Sequence, residues 1–559
     1  MKEILHEIIK SSLKKAMNSG ILGLSEIPPF TLERPKEERF GDFSTNLALI
    51  IASQLSKKPS DVAGLIVSNL NGYSNIISKV EVAGPGFINF FMTRDFWLKG
   101  LSEVIKKADR YGSLNIGANE KIQVEFVSAN PTGPLHVGHG RGAVVGDVLA
   151  NILKKAGYDV CKEYYINDVG LQMETLGLST FIRYRQLFGE EIEFPQNGYK
   201  GEYIKDIARD IIFKKGDHFL KMTEREALPF FIEFTAEVIL NGIKKDLSEF
   251  GVYFDRWYSE KTLYERGMVD TIINWLKEKE FVYEKDGALW LKASAFGDEK
   301  DRVVKRGSGY YTYLASDIAY HKEKYERGFK RVIDIWGADH HGYVPRMRSA
   351  IKALGFDEKS FSVILIQLVN LKRGGQVISM STRSGEFTEL AEVVREVGRD
   401  AVRFFCMMRS SDSHLDFDLD LAKKQSSENP VYYVQYAHAR ICSILRQTAE
   451  RGIKIPDIEE KKGLSINLTP LKLPEELSII KRILMFPELI EKMALSLEPH
   501  LITHYLLSLC GEFHSYYNKH RVVSDDTDLT NARLILVKAL GIVIKNSLDI
   551  LGVMAPEEM

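Results

Sequence analysis

The spacing of apolar residues divides the chain into three stretches. Residues 1–110 open with MKEILHEIIKSSLKKAMNSG, whose apolar positions predict an amphipathic helix over about 1–18. After Pro28 and Pro29, helical spacing returns near 43–56 and 60–70. Two short strand-like runs, NIISKVEVA and FINFFM, flank the turn Gly84-Pro85-Gly86, and a helix near 95–108 follows. This is the pattern of a small α+β domain. From residue 120 the pattern changes. A β-rich run, Lys121 to Val127, leads into a two-proline turn and then a helix over about 136–156. Val144, Val148 and Ile152 of that helix recur at helical spacing, and Gly157 stops it. A strand from Tyr158 to Ile166 completes a βαβ unit. A second unit runs from a strand at Arg331–Trp336 through a helix at Gly342–Leu354 to a strand at Phe361–Val369. Two such units predict a doubly wound parallel, Rossmann-like sheet across 111–425, split by an insertion at about 170–300. Ligands in such sheets bind beyond the carboxyl ends of the strands, which points to the loops at 128–142 and 337–343. Past residue 425 the strands vanish. Helical spacing near 429–451, 474–495, 499–519 and 529–551, around a charged linker at 452–474, predicts an all-helical domain over 426–559. The expected fold class is therefore multidomain α/β.

Composition alters this picture little. The chain has 559 residues, too many for one core, with 45% hydrophobic and 27% charged positions, the balance of a globular enzyme. No run of eighteen uncharged apolar residues occurs, so no membrane span is expected. Glu3 and Glu7 interrupt the first apolar run and no small-residue cleavage site follows, which argues against a signal peptide. Cys161, Cys406, Cys442 and Cys510 lie far apart, so neither structural zinc nor a disulfide framework is expected, and a reducing cytoplasmic setting fits. Net charge is −1, so any RNA-binding surface must gather its basic residues locally.

The richest stretch is SANPTGPLHVGHGRG, residues 128–142. A strand runs through a turn into a helix whose first turns hold Gly138, Gly140 and Gly142, bare backbone that a base or phosphate could approach. The helix N-terminus offers N–H groups and a positive dipole to an anion. His136 and His139, three apart, share one face and can offer ring N–H donors to a phosphate. Surface histidines on a glycine-loosened helix would show the same letters, but the strand-to-helix setting favours a site. Asp339-His340-His341-Gly342 also follows a strand and opens a helix, suiting Asp339 and His341 to ribose hydroxyls and an adenine edge. The vicinal histidines lack a third ligand at metal spacing.

PLHVGHGRG resembles the HIGH motif of class I aminoacyl-tRNA synthetases. The wider context VEFVSANPTGPLHVGHGRGAVVGDVLANIL resembles the arginyl-tRNA synthetase family, as do YYINDVGLQ, SGYYTYLASDIAYH, GADHHGYVPRM and the final APEEM. The resemblance covers essentially the whole chain. It implies that His136 and His139 stabilise the α-phosphate during adenylate formation and that adenine packs at Gly138. It implies that Glu125, Asn130, Tyr313 and Asp317 hold arginine, whose guanidinium needs carboxylates in fixed positions. Ser379-Met380-Ser381-Thr382-Arg383-Ser384-Gly385 resembles the K-M-S-K-S loop with both lysine positions lost. Met380, Ser381 and Arg383 are its catalytic candidates, and Arg141, Lys372 and Arg373 are further cations for the leaving pyrophosphate. In the helix near 429–451, Tyr432, Tyr433, Gln435, Tyr436, His438 and Arg440 interleave aromatics with donors, as in readers of unpaired bases. Tyr432, Tyr436 and Arg440 are the tRNA-binding candidates, at the position of the family's anticodon-binding domain. Residues 1–110 correspond to its domain for the tRNA elbow. The resemblance implies ATP with Mg²⁺, L-arginine and tRNA(Arg) as substrates and activation that depends on tRNA; a monomer is expected, although the sequence does not give the oligomeric state. Three rivals use similar letters: a class I synthetase for another amino acid, a small-metabolite adenylyl-transferring ligase, and a non-catalytic tRNA-binding relative.

Overall fold

Burial on both faces explains why the central strands read as nearly unbroken apolar runs. The computed structural model describes residues 2–70, 72–378, 388–453 and 467–559. Its main sheet contains β1 (Lys121–Glu125), β2 (Asp159–Ile166), β3 (Arg256–Ser259), β4 (Arg331–Gly337) and β5 (Phe361–Ile366). All pairs are parallel, in the order β5-β4-β1-β2-β3. The chain leaves β1 toward β2 on one side and returns with β4 on the other, so the switch point lies between β1 and β4. β3 is supplied by the stretch expected as an insertion. Its four residues are too short and mixed in polarity to be distinguished in sequence from the loops around them.

Helix α1 (Val137–Lys155) crosses from β1 to β2 and is buried along most of its length. Gly146 permits this, because a Cβ there would lie 2.2 Å from the Phe126 ring. Helices α2 (Tyr313–Glu326) and α3 (Val344–Ala353) flank β4, and α4 (Arg399–Cys406) lies under α1. The strand expected over Phe361–Val369 breaks in two. Val369–Arg373 pairs instead with Gln376–Val377 and Leu415–Asp418 in a small separate sheet.

The N-terminal stretch forms a three-stranded antiparallel sheet from Phe43–Thr45, Ile77–Ala83 and Phe87–Met92, packed with helices Lys2–Asn18, Leu47–Leu55 and Pro59–Ser68. The helix expected to begin at 43 starts instead as an edge strand. The C-terminal helices include α5 (Pro430–Glu450) and α6 (Thr527–Leu551). The single helix expected over 474–495 is two, Pro474–Leu484 and Phe486–Ser496, with Pro487 in the first turn of the second. Proline lacks the N–H that would continue the ladder. Among the described residues, no helix is long and apolar enough to cross a membrane.

Candidate active site

The end of β1 is strained. Val127 and Ser128 take left-handed backbone conformations at φ 67° and 39°, costly for a β-branched residue and sustained only by firm neighbours. Ser128 supplies the clasp: its Oγ donates to Glu125 Oε1 at 3.0 Å and accepts the Tyr165 N–H at 3.1 Å. The loop then passes Asn130, whose Nδ2 donates to Gln172 Oε1 at 2.6 Å. Tyr203 donates to the Thr132 carbonyl at 2.6 Å.

The loop delivers His136 as the N-cap of α1. Its Nδ1 accepts the Gly138 N–H at 3.1 Å, and His139 Nδ1 accepts the His136 N–H at 3.3 Å. The rings stack with centroids 3.7 Å apart. Burial lowers both imidazoles, and the neighbouring ring lowers His139 further, to about 3. A neutral ring whose Nδ1 accepts carries its proton on Nε2, so Nε2 is the donor nitrogen of both histidines. Of the three glycines, Gly138 lies close under the His136 ring and Gly142 has open space. Gly140 is a packing notch: a Cβ there would lie 2.5 Å from Leu390. Leu390 also donates its N–H to the Leu135 carbonyl at 2.7 Å, joining this loop to the chain that follows residues 379–387. Met380, Ser381 and Arg383 lie outside the described residues.

Arg141 is not available to a pyrophosphate. It is 0% exposed, and its guanidinium donates to the carbonyls of Gln367, Ser413 and Ser410, each at 2.8 Å. Its place on the buried side of α1 decides this. Lys372 and Arg373 are paired with Asp416 and Glu396.

The carboxylates gather at the carboxyl ends of β1, β3 and β4. Both Glu125 oxygens are engaged, Oε1 by Ser128 and Oε2 by Lys324 Nζ at 2.6 Å. Lys324 is fully buried and also donates to Asp334 Oδ1 at 2.9 Å, while His321 Nε2 meets Asp334 Oδ2 at 2.9 Å. Burial pushes the Glu125 carboxyl up and Lys324 opposes it. Asp317 is not on a solvated face. Tyr343 donates to its Oδ2, and burial raises its carboxyl. Tyr313, one turn earlier, is exposed.

Glu260, the residue directly after β3, went unread in the sequence. It is 3% exposed, with the hydroxyls of Ser316 and Tyr165 beside its carboxyl. Burial raises that carboxyl to about 7; hydrogen bonding to Ser316 and Tyr165 opposes the shift, and the charges of Asp317 and Asp168 add to it. The Tyr165 hydroxyl is itself buried. It is raised by burial and then by Glu260, Asp317 and Glu125, which marks one shared acidic pocket. Only the pairing of β3 with β2 brings Glu260 there, so no sequence signal pointed to it. Asp339 and His341 are exposed on the 3₁₀ turn Ala338–Tyr343 after β4, with His341 Nδ1 3.2 Å from the Ala338 carbonyl.

On α5, Tyr432 and Tyr436 stack with centroids 6.1 Å apart, and Arg440 donates to the Tyr436 hydroxyl at 2.6 Å while lying over Tyr517. These three are half-buried. His438 and Gln435 are structural, bonded to the carbonyls of Pro556 and Met554.

The stacked histidines at the helix N-terminus, beside the switch point of a five-stranded parallel sheet, lie within a match to the catalytic domain of class I tRNA synthetases. Residues 101–417 match the family described as tRNA synthetases class I (R), catalytic domain. Residues 3–92 match Arginyl tRNA synthetase N terminal domain, and residues 434–559 match DALR anticodon binding domain. Over the full length of both chains, this one is 52% identical to the arginine–tRNA ligase of Geobacter sp. (strain M21). It is 51% identical to that of Citrifermentans bemidjiense, again over both full lengths. A solved structure titled putative arginyl tRNA synthetase from Campylobacter jejuni is 36% identical, with a TM-score of 0.75, covering 84% of this chain and 100% of that one. The Thermus thermophilus arginyl-tRNA synthetase shares the fold over 100% of both chains, with a TM-score of 0.72 at 21% identity. The chain belongs to the arginyl-tRNA synthetase family.

Proposed function

We propose that this chain activates L-arginine with ATP to arginyl-adenylate and pyrophosphate, then transfers the arginyl group to the 2′-hydroxyl of the terminal adenosine of tRNA(Arg). The observation that carries the reading is the buried acidic pocket that Asp317, Glu260 and Glu125 share. A guanidinium brings five donors and a permanent charge in a planar fork, which can engage a carboxylate through two parallel bonds where an ammonium offers a point contact. Asn130, Tyr313 and Asp317 hold the arginine, and Glu125, already engaged by Lys324 and Ser128, adds its charge. Arginine's carboxylate attacks the α-phosphorus in line. The Nε2–H groups of His136 and His139 donate to the developing charge, a role of positioning and electrostatics without a protein nucleophile. ATP enters as its Mg²⁺ complex, with Gly138, Asp339 and His341 toward its nucleoside. Met380, Ser381 and Arg383 serve the departing pyrophosphate. Residues 1–110, 111–425 and 426–559 divide the work between the tRNA elbow, chemistry and anticodon. Tyr432, Tyr436 and Arg440 stack on bases, and the enzyme works in the cytoplasm as a monomer.

Arginine-dependent exchange of pyrophosphate into ATP, with and without tRNA(Arg), tests the reading. Exchange is expected with arginine plus tRNA; exchange with lysine and none with arginine overturns it. In Asp317→Asn, kcat/KM for arginine should fall about two to three orders of magnitude, since an uncompensated buried charge costs roughly 3–5 kcal/mol. ATP affinity should hold.

A further inference from the structure

Arg403, on α4, is 0% exposed and joins four elements. Its Nε donates to the Leu551 carbonyl at 2.7 Å, at the carboxyl end of α6. Its Nη1 reaches the carbonyls of Phe250 and Gly251 at 3.3 and 3.4 Å, at the end of the helix Glu224–Glu249. Its Nη2 donates to Asp147 Oδ2 on α1, while Asp147 Oδ1 takes Lys162 of β2 at 3.0 Å. One cation thus caps two helix carboxyl ends, where negative dipole gathers, and pairs with a third helix. Gly552, at φ 64°, makes room, since a Cβ there would lie 2.4 Å from Nη2.

Two further ties act on the same helix. Asn151, one turn past Asp147, donates to the Ile550 carbonyl of α6 at 3.0 Å. Arg141 holds the carbonyls of Gln367, Ser410 and Ser413. α1 is therefore pinned by polar, directional contacts to the end of α6 and to the segment after α4. Its N-terminus carries His136 and His139, whose donors must meet a phosphate oxygen within hydrogen-bond range. A shift of about 1 Å is enough to cost catalysis heavily. α6 packs along α5, the helix of Tyr432, Tyr436 and Arg440.

We propose that Arg403 is a positioning residue that couples the placement of the C-terminal helices, through the end of α6 and Asp147, to the two histidines at the head of α1. The coupling rests on the reading that those helices bind tRNA. Binding energy released on α5 reaches α1 through the guanidinium and acts on the adenylation rate constant, a kinetic quantity for which no reciprocal change in tRNA affinity is required. Buried ion pairs contribute little net stability against apolar replacements of the same shape, whereas a fork that fixes three helices at once sets geometry.

Arg403→Lys retains a charge for Asp147 but loses the fork. The tests are the dissociation constant for tRNA(Arg) and the single-turnover rate of arginyl-adenylate formation at saturating tRNA. The rate should fall about ten- to a hundredfold, the range of inter-site couplings, with tRNA affinity and arginine KM unchanged within about threefold. Asn151→Ala removes one tie without touching a charge and should lower the same rate about fivefold; it decides the matter if Arg403→Lys does not fold. A folded variant with lower melting temperature but wild-type adenylation overturns the proposal, as does a loss confined to tRNA binding. If the unmodified protein binds no tRNA(Arg), the underlying reading fails and the proposal with it.

Discussion

His136 and His139, the proposed phosphate donors, face the site with the nitrogen that the fold leaves protonated. With both Nδ1 atoms accepting backbone N–H groups, Nε2 must carry the proton, and burial keeps the rings neutral. His139→Ala should therefore lower the adenylation rate constant about 10²–10³-fold, the scale of one lost transition-state donor, with arginine KM little changed. A pre-steady-state burst measurement reads this directly, and weaker ATP binding at normal rate would contradict it. Glu260 makes a prediction about pH. In the free protein its carboxyl sits near 7, above the ordinary carboxylate value, so below that pH arginine must displace a proton to bind. Arginine affinity should rise with pH up to about 7, by at most about tenfold per pH unit, and level off above. The sign is opposite for the free fold: a raised carboxyl favours the folded state at low pH, and that contribution is lost as pH rises from about 4.5 through 7. Titration calorimetry in two buffers of different ionisation enthalpy should show proton release at pH 6.5. Glu260→Gln should abolish it; release that persists would assign the proton elsewhere. His136, His139, Asp317 and Glu125 could be read along the chain because each stands in a motif. Glu260, Lys324 and Asp334 could not, because a buried charge announces itself only through its partners.

At the scale of elements, α1 and β1 act as one piece. The left-handed turn at Val127 and Ser128 aims the strand end, and Gly146 lets the helix lie against Phe126. Gly146→Ala should destabilise the protein by about 1–3 kcal/mol, the cost of overpacking a filled core. It should also slow adenylation, because the helix carrying both histidines must move away from the sheet. Chemical denaturation and exchange assays on the same variant check both, and an unaltered denaturation midpoint would show that Phe126 can yield. The βαβ units were visible in the sequence because buried strands and an amphipathic helix have different periods. The short β3, the break between β5 and Val369, and the division at Phe486 were not. A four-residue strand has too few positions to show a period, and strand pairing is a long-range choice.

The whole molecule is tied across its domains. The helix Arg94–Lys107 packs on Pro474–Leu484 and α6, with Trp97 1% exposed. Arg34 forms a two-bonded pair with Glu488, and Lys481 meets Asp42. A fragment of residues 111–559 should therefore aggregate or melt well below the full chain, because it uncovers the apolar face on which Arg94–Lys107 packs. Light scattering and thermal unfolding of the two would show this, and a monodisperse fragment of equal stability would refute it. By itself the sequence determined the family, the three-part division of apolar periodicity and the candidates for the phosphate site, because motifs and periods are local. Tertiary structure alone decided that Arg141 is a buried tie, that Glu125 is engaged by Lys324, and that Glu260 and Asp317 share one acidic pocket. The reason is physical: the charge, burial and reach of a side chain depend on which strand lies beside it, and that is decided by residues far away along the chain.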